Sequence, residues 1–555
     1  MLKNNDSHSI FCNFHSAKML FTMSCKYLFF ILPVLFMNCK KEVALAYNNQ
    51  QDSLKTKVIP INSPKSIAFD STALWDKPEH VKEFYRNNLF KTVWTETEDR
   101  KALIDIIKNS ADEGLIPEDY NFSSLEKQEE AKTKLNSTEI VNFDILLTES
   151  FHKLANHLYN GKLNPKQLYT DWETGNKKIK AIDLLQEGIR RHDVEKTLDT
   201  LKPNHPVYHL LKKSLKKINE MPDDDFDPIV IEEKINPNEK KATIKAVKKR
   251  LIYWGDYTKE DTITNLTNIY DKKTVEAVKH FQKRHGLLAD GVIGANTVTA
   301  MNVSKKQRTE QIIANLERWR WFPRDLGKEY IIINIPEFKL YFIKDNDTAR
   351  VHKVVVGKDT RRTPVLSSHL SNLVINPTWT VPPTIIKEDL GPTASQNRGY
   401  FAATRITIYD SKGQEVDPYN WNAAKPNNYR YVQKPGDNNS LGLVKFNFPN
   451  GHLVYLHDTN HKELFELTGR SLSSGCVRVE NPLDLAYYIL ETDENYMNQK
   501  RVEKIIESGK TSGIPIKKFI HIHLLYWTAW MNKDEFQFRN DIYNLDSELY
   551  QKLRD

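Results

Sequence analysis

The sequence predicts a multidomain α+β protein: a helical N-terminal part, a small three-helix unit, and a mainly-β C-terminal part carrying an inserted lid. Three observations carry this. Apolar residues recur at helical spacing up to about residue 219. Short glycine-punctuated helices follow over 242–302. Beyond residue 328 the pattern alternates with period two. At 555 residues the chain is too long for one ordinary domain. The composition, 39% hydrophobic and 27% charged, suits packed cores. The net charge of +8 is modest for this length and comes with no basic stripe or base-reading motif, so nucleic acid is not an expected partner.

The chain opens on a targeting segment. Eleven apolar residues, Tyr27 to Met37, follow Lys26; that is short for a membrane span and suited to the core of a signal peptide. Met23 makes a more conventional start than Met1. The segment ends in Asn38-Cys39-Lys40-Lys41, similar to a bacterial lipobox, so Cys39 is the expected lipid anchor and the membrane an expected partner. Plain cleavage or a retained anchor would also export the chain. The expected division is signal peptide 1–38, anchor and tether 39–65, and helical domain 66–230. The three-helix unit spans 242–302, the β domain 328–500 with its lid at about 384–440, and a C-terminal extension 514–555 packs on the rest.

In the helical part, Leu103, Ile106 and Ile107 share one helix face, as do Phe151, Leu154 and Leu158. Gly114 and Gly161 stop helices. The histidines here are scattered and carry no constellation. In the small unit, Ile244, Val247 and Leu251 mark one helix, and Val275, Val278 and Phe281 a second capped by Asp271. Farther on, the run Tyr330 to Ile343 reads as strand, as do the stretches at 350–357, 369–376 and 453–457, while Leu483–Leu490 reads as helix. His521 and His523 alternate along a strand and are expected to be structural. The lid is rich in Gly, Asn, Pro and aromatic residues.

The chemistry concentrates at Cys476. The other cysteines, Cys12, Cys25 and Cys39, lie in or before the apolar N-terminal segment, so Cys476 is the lone thiol of the folded part. It follows His457 by nineteen residues and sits in Ser473-Ser474-Gly475-Cys476-Val477-Arg478. A thiol needs a base to become a nucleophile, and a strand-end histidine supplies one. Gly475 permits a turn whose amides can face an oxyanion. Arg478 suits a carboxylate. A lone cysteine, arginine or histidine is ordinarily structural; the combination argues for acyl transfer. Zinc is disfavoured for want of paired ligands at metal spacing. The histidine-first order does not match papain-like enzymes.

Two resemblances complete the reading. FQ-x3-GL-x2-DG-x2-G-x2-T, from Phe281 to Thr297, resembles the type 1 peptidoglycan-binding domain. His457-x18-Cys476 with Ser-Ser-Gly-Cys-Val-Arg resembles the L,D-transpeptidase catalytic domain of the YkuD family. Gln433–Gly442, Val444–Pro449 and Tyr455–Thr459 look like its large YcbB-type branch, which joins a helical scaffold domain, a peptidoglycan-binding module and a lidded catalytic domain. Asp458 and Ser474 stand where many smaller relatives have Gly and His.

The resemblance implies that Cys476 attacks the third-residue carbonyl of a tetrapeptide stem, expels D-alanine and forms a thioester. An amine of a neighbouring stem then resolves it into a 3→3 cross-link. His457 would be base and acid, Gly475 and Cys476 amides the oxyanion donors, Ser474 an orienting or substrate group, Arg478 a carboxylate binder, and Tyr455 and Trp379 cleft walls. Partners would be stem peptides and other cell-wall enzymes; the location would be the periplasmic side of a Gram-negative envelope. Acylation by carbapenems is implied, and no metal or organic cofactor. Hydrolysis to tripeptide, linkage of a protein to peptidoglycan, and peptidoglycan binding without catalysis remain alternatives.

Overall fold

The computed structural model describes residues 59–174, 177–257, 266–493 and 497–555. The expected signal peptide, Cys39 and most of the tether lie outside them. Among the described residues no helix is long and apolar enough to cross a membrane.

Helices dominate from Glu79 to Glu220, with Thr97–Lys108, Ser137–Asn160, Ala181–Arg191 and Pro206–Glu220 the longest. Their buried faces carry Leu103, Ile107, Phe151, Leu154 and Leu158, with Ile106 only half-buried and Ile104 taking the inner position beside Leu103. The long helix is closed at its start by a reciprocal capping box between Asn136 and Glu139. Gly161 ends it at φ +88°, where a Cβ would stand 2.5 Å from the Trp321 indole nitrogen; only glycine allows that approach. The small unit packs Ile244–Tyr253, Lys272–Arg284 and Ala295–Met301 on Val247, Leu251, Val278 and Phe281. Asp271 caps its second helix by accepting from the Thr274 amide at 2.9 Å. Gln282 ties the following loop: its amide nitrogen donates to Val292 O at 2.9 Å and its oxygen accepts from Gly291 N at 2.9 Å.

Lys305–Trp321 is the strut of the molecule. From Gln311 to Trp321 every residue is buried, including Glu317, Arg318 and Arg320. It packs against Pro206–Glu220 on one side and against the last helix, Asp546–Arg554, on another. Arg318 is ion-paired to Asp546, and Arg320 to Glu317. Buried charges of this kind are tolerated only when paired.

The C-terminal part is built on a sheet of twelve strands among the described residues. The stretch Tyr330 to Ile343 is a hairpin rather than one strand. Glu329–Asn334 and Lys339–Lys344 pair antiparallel across a short helical turn at Ile335–Glu337, where Pro336 cannot supply a ladder N–H. The expected C-terminal extension 514–555 is only in part an extension: its hairpin Ala529–Phe538 and last helix pack on neighbouring helices, but its first strands belong to the large sheet. His521–Leu525 lies within it, parallel to Glu329–Asn334 and antiparallel to Val365–His369, and Ser512–Pro515 forms its far edge beside Asn372–Ile375. His523 there is buried, bonded to Ser367 Oγ and Leu326 O. The inserted segment folds on its own four-stranded sheet, Trp379–Thr380, Arg430–Gln433, Ile406–Tyr409 and Glu415–Val416, around Phe401, Trp421 and Tyr431.

Candidate active site

Three neighbouring strands assemble the site. Val444–Asn447 pairs antiparallel with Leu456–His457, which pairs parallel with Val477–Val479. Phe446, Leu456 and Val477 point into the core and are fully buried. Side chains alternate along a strand, so the residues between them share the opposite face. Lys445 stands opposite His457, and His457 opposite Arg478. One step back along both strands of the parallel pair, Tyr455 and Cys476 are side by side, and the Val477 amide donates to Tyr455 O at 3.1 Å. The Tyr455 and His457 rings lie 5.6 Å apart. The register alone therefore gathers Cys476, His457, Tyr455, Arg478 and Lys445. The sequence reading missed Lys445, whose alternation with Val444 and Phe446 was its only signal.

His457 is buried, and its Nδ1–H donates to Asp458 O at 2.5 Å. A neutral imidazole with Nδ1 protonated leaves Nε2 as acceptor, the form a general base needs. Burial first, then the Arg478 charge, hold its pKa down at about 3. Asp458 in turn accepts from the Leu443 and Thr459 amides and from Lys462. Burial pushes the Cys476 thiol up; the Tyr455 backbone and hydroxyl and the charges of Lys445 and Arg478 pull it back. Burial also lowers Lys445 and Arg478 from their ordinary values. Tyr455 is pushed well above the ordinary phenol value, by burial first and then by Cys476, and both Cys476 and Trp379 lie close enough to its hydroxyl to act on it. Trp379 thus brings the edge of the inserted sheet to the cleft.

The turn that presents Cys476 is closely tied. Gly475 sits at φ +109°, a conformation that favours glycine. Its N–H donates to Ser473 Oγ at 3.2 Å, and the Ser473 hydroxyl donates to Cys476 O at 2.5 Å. One of the two expected oxyanion donors is therefore engaged. Its carbonyl accepts from Thr363 Oγ1 at 2.8 Å, which accepts from Gly357 N. The Tyr543 hydroxyl donates to Gly357 O at 2.7 Å and accepts from Thr363 N at 3.1 Å. Of the two roles expected of Ser474, orienting His457 is not met. Ser474 is exposed and does not reach His457; its hydroxyl accepts from Arg361 at 2.8 Å, and Arg361 is ion-paired to Glu388 and Asp389 of the insertion. Its position before Gly475 turns its side chain outward.

Removing the Tyr543 hydroxyl should loosen this turn. Tyr543→Phe is expected to slow acylation of Cys476 roughly 10–100-fold, as small misplacements of a reacting group do. Stability should fall by about 1–3 kcal/mol, because Gly357 O and Thr363 N lose a buried partner. Rates of adduct formation by mass spectrometry, with melting curves beside them, check both.

Comparison with known proteins agrees with this architecture. Family models match in chain order: "Scaffold domain" over 79–215, "Putative peptidoglycan binding domain" over 240–301, and "L,D-transpeptidase catalytic domain" of the YkuD family over 328–503. A Haemophilus influenzae protein described as "Putative L,D-transpeptidase" is 37% identical over 244 residues, which is 43% of this chain and 49% of that one. The chain thus spans about half the length of that curated relative. Among solved structures, an L,D-transpeptidase of Xylanimonas cellulosilytica aligns at 14% identity over 53% of this chain and 98% of its own, with TM-score 0.17. One of Stackebrandtia nassauensis aligns at 14% over 52% and 94%, with TM-score 0.20. The chain thus carries a scaffold domain, a peptidoglycan-binding domain and an L,D-transpeptidase catalytic domain of the YkuD family in that order, an arrangement consistent with the YcbB-type branch.

Proposed function

We propose that the protein forms 3→3 cross-links between peptidoglycan stems by way of a thioester on Cys476. The observation that carries this is the shared face of the strand pair, on which a thiol, a neutral histidine, a tyrosine hydroxyl and an arginine converge. Cys476 Sγ attacks the carbonyl carbon of the third stem residue while its proton passes to His457 Nε2. The Cys476 amide, at the turn, stabilises the oxyanion. Collapse breaks the C–N bond, and His457 returns the proton to the departing amine, so D-alanine leaves and the thioester remains. The acceptor amine then attacks, gives its proton to His457, and displaces Cys476 as a thiolate that takes the proton back. Arg478, whose Nε is buried without a partner, receives a stem carboxylate. Trp379 and Tyr455 wall the cleft. Ser474 serves the turn through Arg361.

The domains fit an envelope enzyme acting on peptidoglycan, and the N-terminal lipid on Cys39 would hold it to a membrane. Loss of palmitate labelling in Cys39→Ser would support that anchor, and unchanged labelling would remove it.

The residues from 60 onward should convert purified disaccharide-tetrapeptide into a dimer lighter than two donors by one D-alanine. Cys476→Ala should lower this by at least about 10³-fold, since the thiol that would carry the acyl group is gone. Dimer formation by the variant would sink the proposal. Tripeptide without dimer would turn the reading to hydrolysis.

A further inference from the structure

His457 lies between two cations. The register sets Lys445 on one side of it in the sheet and Arg478 on the other. In the antiparallel Lys445–His457 pair the opposed Cβ atoms lie about 4.5–5.5 Å apart, and the charges of both Arg478 and Lys445 act on the imidazole. Among the described residues neither is ion-paired, though the Cys476 side chain acts on both through its field. The Lys445 ammonium lies 3.8 Å from the centroid of the Tyr455 ring. Cys476 and then Glu463 act on Arg478 through their fields without an ion pair, and Arg478 Nε is buried without a hydrogen bond. Both cations are partly withdrawn from water, which is costly unless something anionic arrives. The Tyr455 ring further confines Lys445, since a cation over an aromatic face is held there electrostatically.

The proposed reaction says which anion arrives nearest. His457 hands its proton to the departing nitrogen, so that nitrogen must sit within hydrogen-bond reach of Nε2. In a terminal amino acid the carboxylate carbon is only about 2.5 Å from that nitrogen, across two bonds. A carboxylate so placed falls beside the histidine and within reach of a flanking cation. A residue in mid-chain would put a neutral amide there instead, leaving the cation desolvated and unpaired.

We propose that Lys445 binds the free α-carboxylate of the residue that is expelled, and so restricts the acyl donor to stems ending one residue past the bond that is cut. The inference rests on the transpeptidase reading, and Arg478 keeps the other stem carboxylate. Lys445 is here a specificity-determining residue.

The test uses two synthetic donors, the tetrapeptide stem with a free C-terminal carboxylate and the same stem as its C-terminal carboxamide. Acylation of Cys476 is followed by mass spectrometry. The native protein should favour the free acid by about 10–100-fold in kcat/KM, the range of one charge-assisted hydrogen bond. Lys445→Met should bring that preference to within about threefold of unity, Lys445→Arg should retain most of it, and Arg478→Met should leave it standing. Melting curves and iodoacetamide labelling of Cys476 establish that each variant is folded with its thiol exposed. An undiminished preference in Lys445→Met overturns the inference, as does a preference lost only in Arg478→Met. If the native protein accepts both donors equally, the carboxylate assignment falls while the transpeptidase reading stands. If it is acylated by neither, the transpeptidase reading itself falls.

Discussion

Replacing His457 with glutamine is expected to cost about 10³-fold in cross-link formation with the fold intact, the usual contribution of a well-placed acid–base group. Glutamine can keep the bond to Asp458 O through its amide, but it cannot accept and return a proton. The pH dependence of the native protein should be equally telling. With His457 held near 3, its imidazole is neutral at any higher working pH, and the Cys476 thiol stays protonated past its ordinary range. The free enzyme therefore keeps one protonation state from about pH 4 to about pH 8, and kcat/KM should be level there. It should fall only as pH drops through about 3–4 and the imidazole charges. A bell centred near neutrality would instead mean a thiolate–imidazolium pair at rest.

The largest loss of stability is expected from Asp546→Ala. Arg318 is fully buried, its Nη1 is paired with Asp546, and Asp546 also accepts from Thr528 Oγ1 at 2.7 Å. Two further Arg318 nitrogens, Nε and Nη2, already lack partners. Removing the carboxylate strands a buried guanidinium and should cost about 3–5 kcal/mol. Arg318→Met combined with Asp546→Ala removes the stranded charge and should recover a good part of it. Urea midpoints of the two variants decide the matter. Equal losses in single and double mutants would show that packing of the last helix, rather than charge burial, dominates.

Much of the site was legible because its signals are local. A single thiol in the folded part, a strand-end histidine and a glycine before the cysteine lie within twenty-two residues of sequence, and the strand register brings them together. Lys445 was not legible. In Val-Lys-Phe-Asn-Phe a lysine between apolar residues reads as the wet face of a strand, and only pairing with Leu456–His457 shows that this face is the cleft. The orienting role expected of Ser474 failed because adjacency along the chain says nothing of direction; the turn that aims Cys476 inward aims its neighbour at Arg361.

The helical part was legible through its apolar spacing, as Leu103 and Phe151 show. The strut Lys305–Trp321 was not. Its polar residues face other elements all round and leave no apolar stripe to see. The hairpin at Pro336 was hidden because both arms continue one alternation. The role of 512–525 was hidden by separation: a strand that slots between partners near 330 and 366 leaves no mark in its own neighbourhood.

That late strand sets an order of events. While the chain is being made, the segments around 330 and 366 emerge with an empty lane between them, and the cysteine turn emerges before Tyr543, which fastens it. The lane closes only once residues 521–525 are in place, and the turn is clamped only once Tyr543 is. Long-range pairing of this sort is slow to form. The setting of Cys476 is therefore finished last, and a copy cut short before Tyr543 carries the cysteine turn without its clamp.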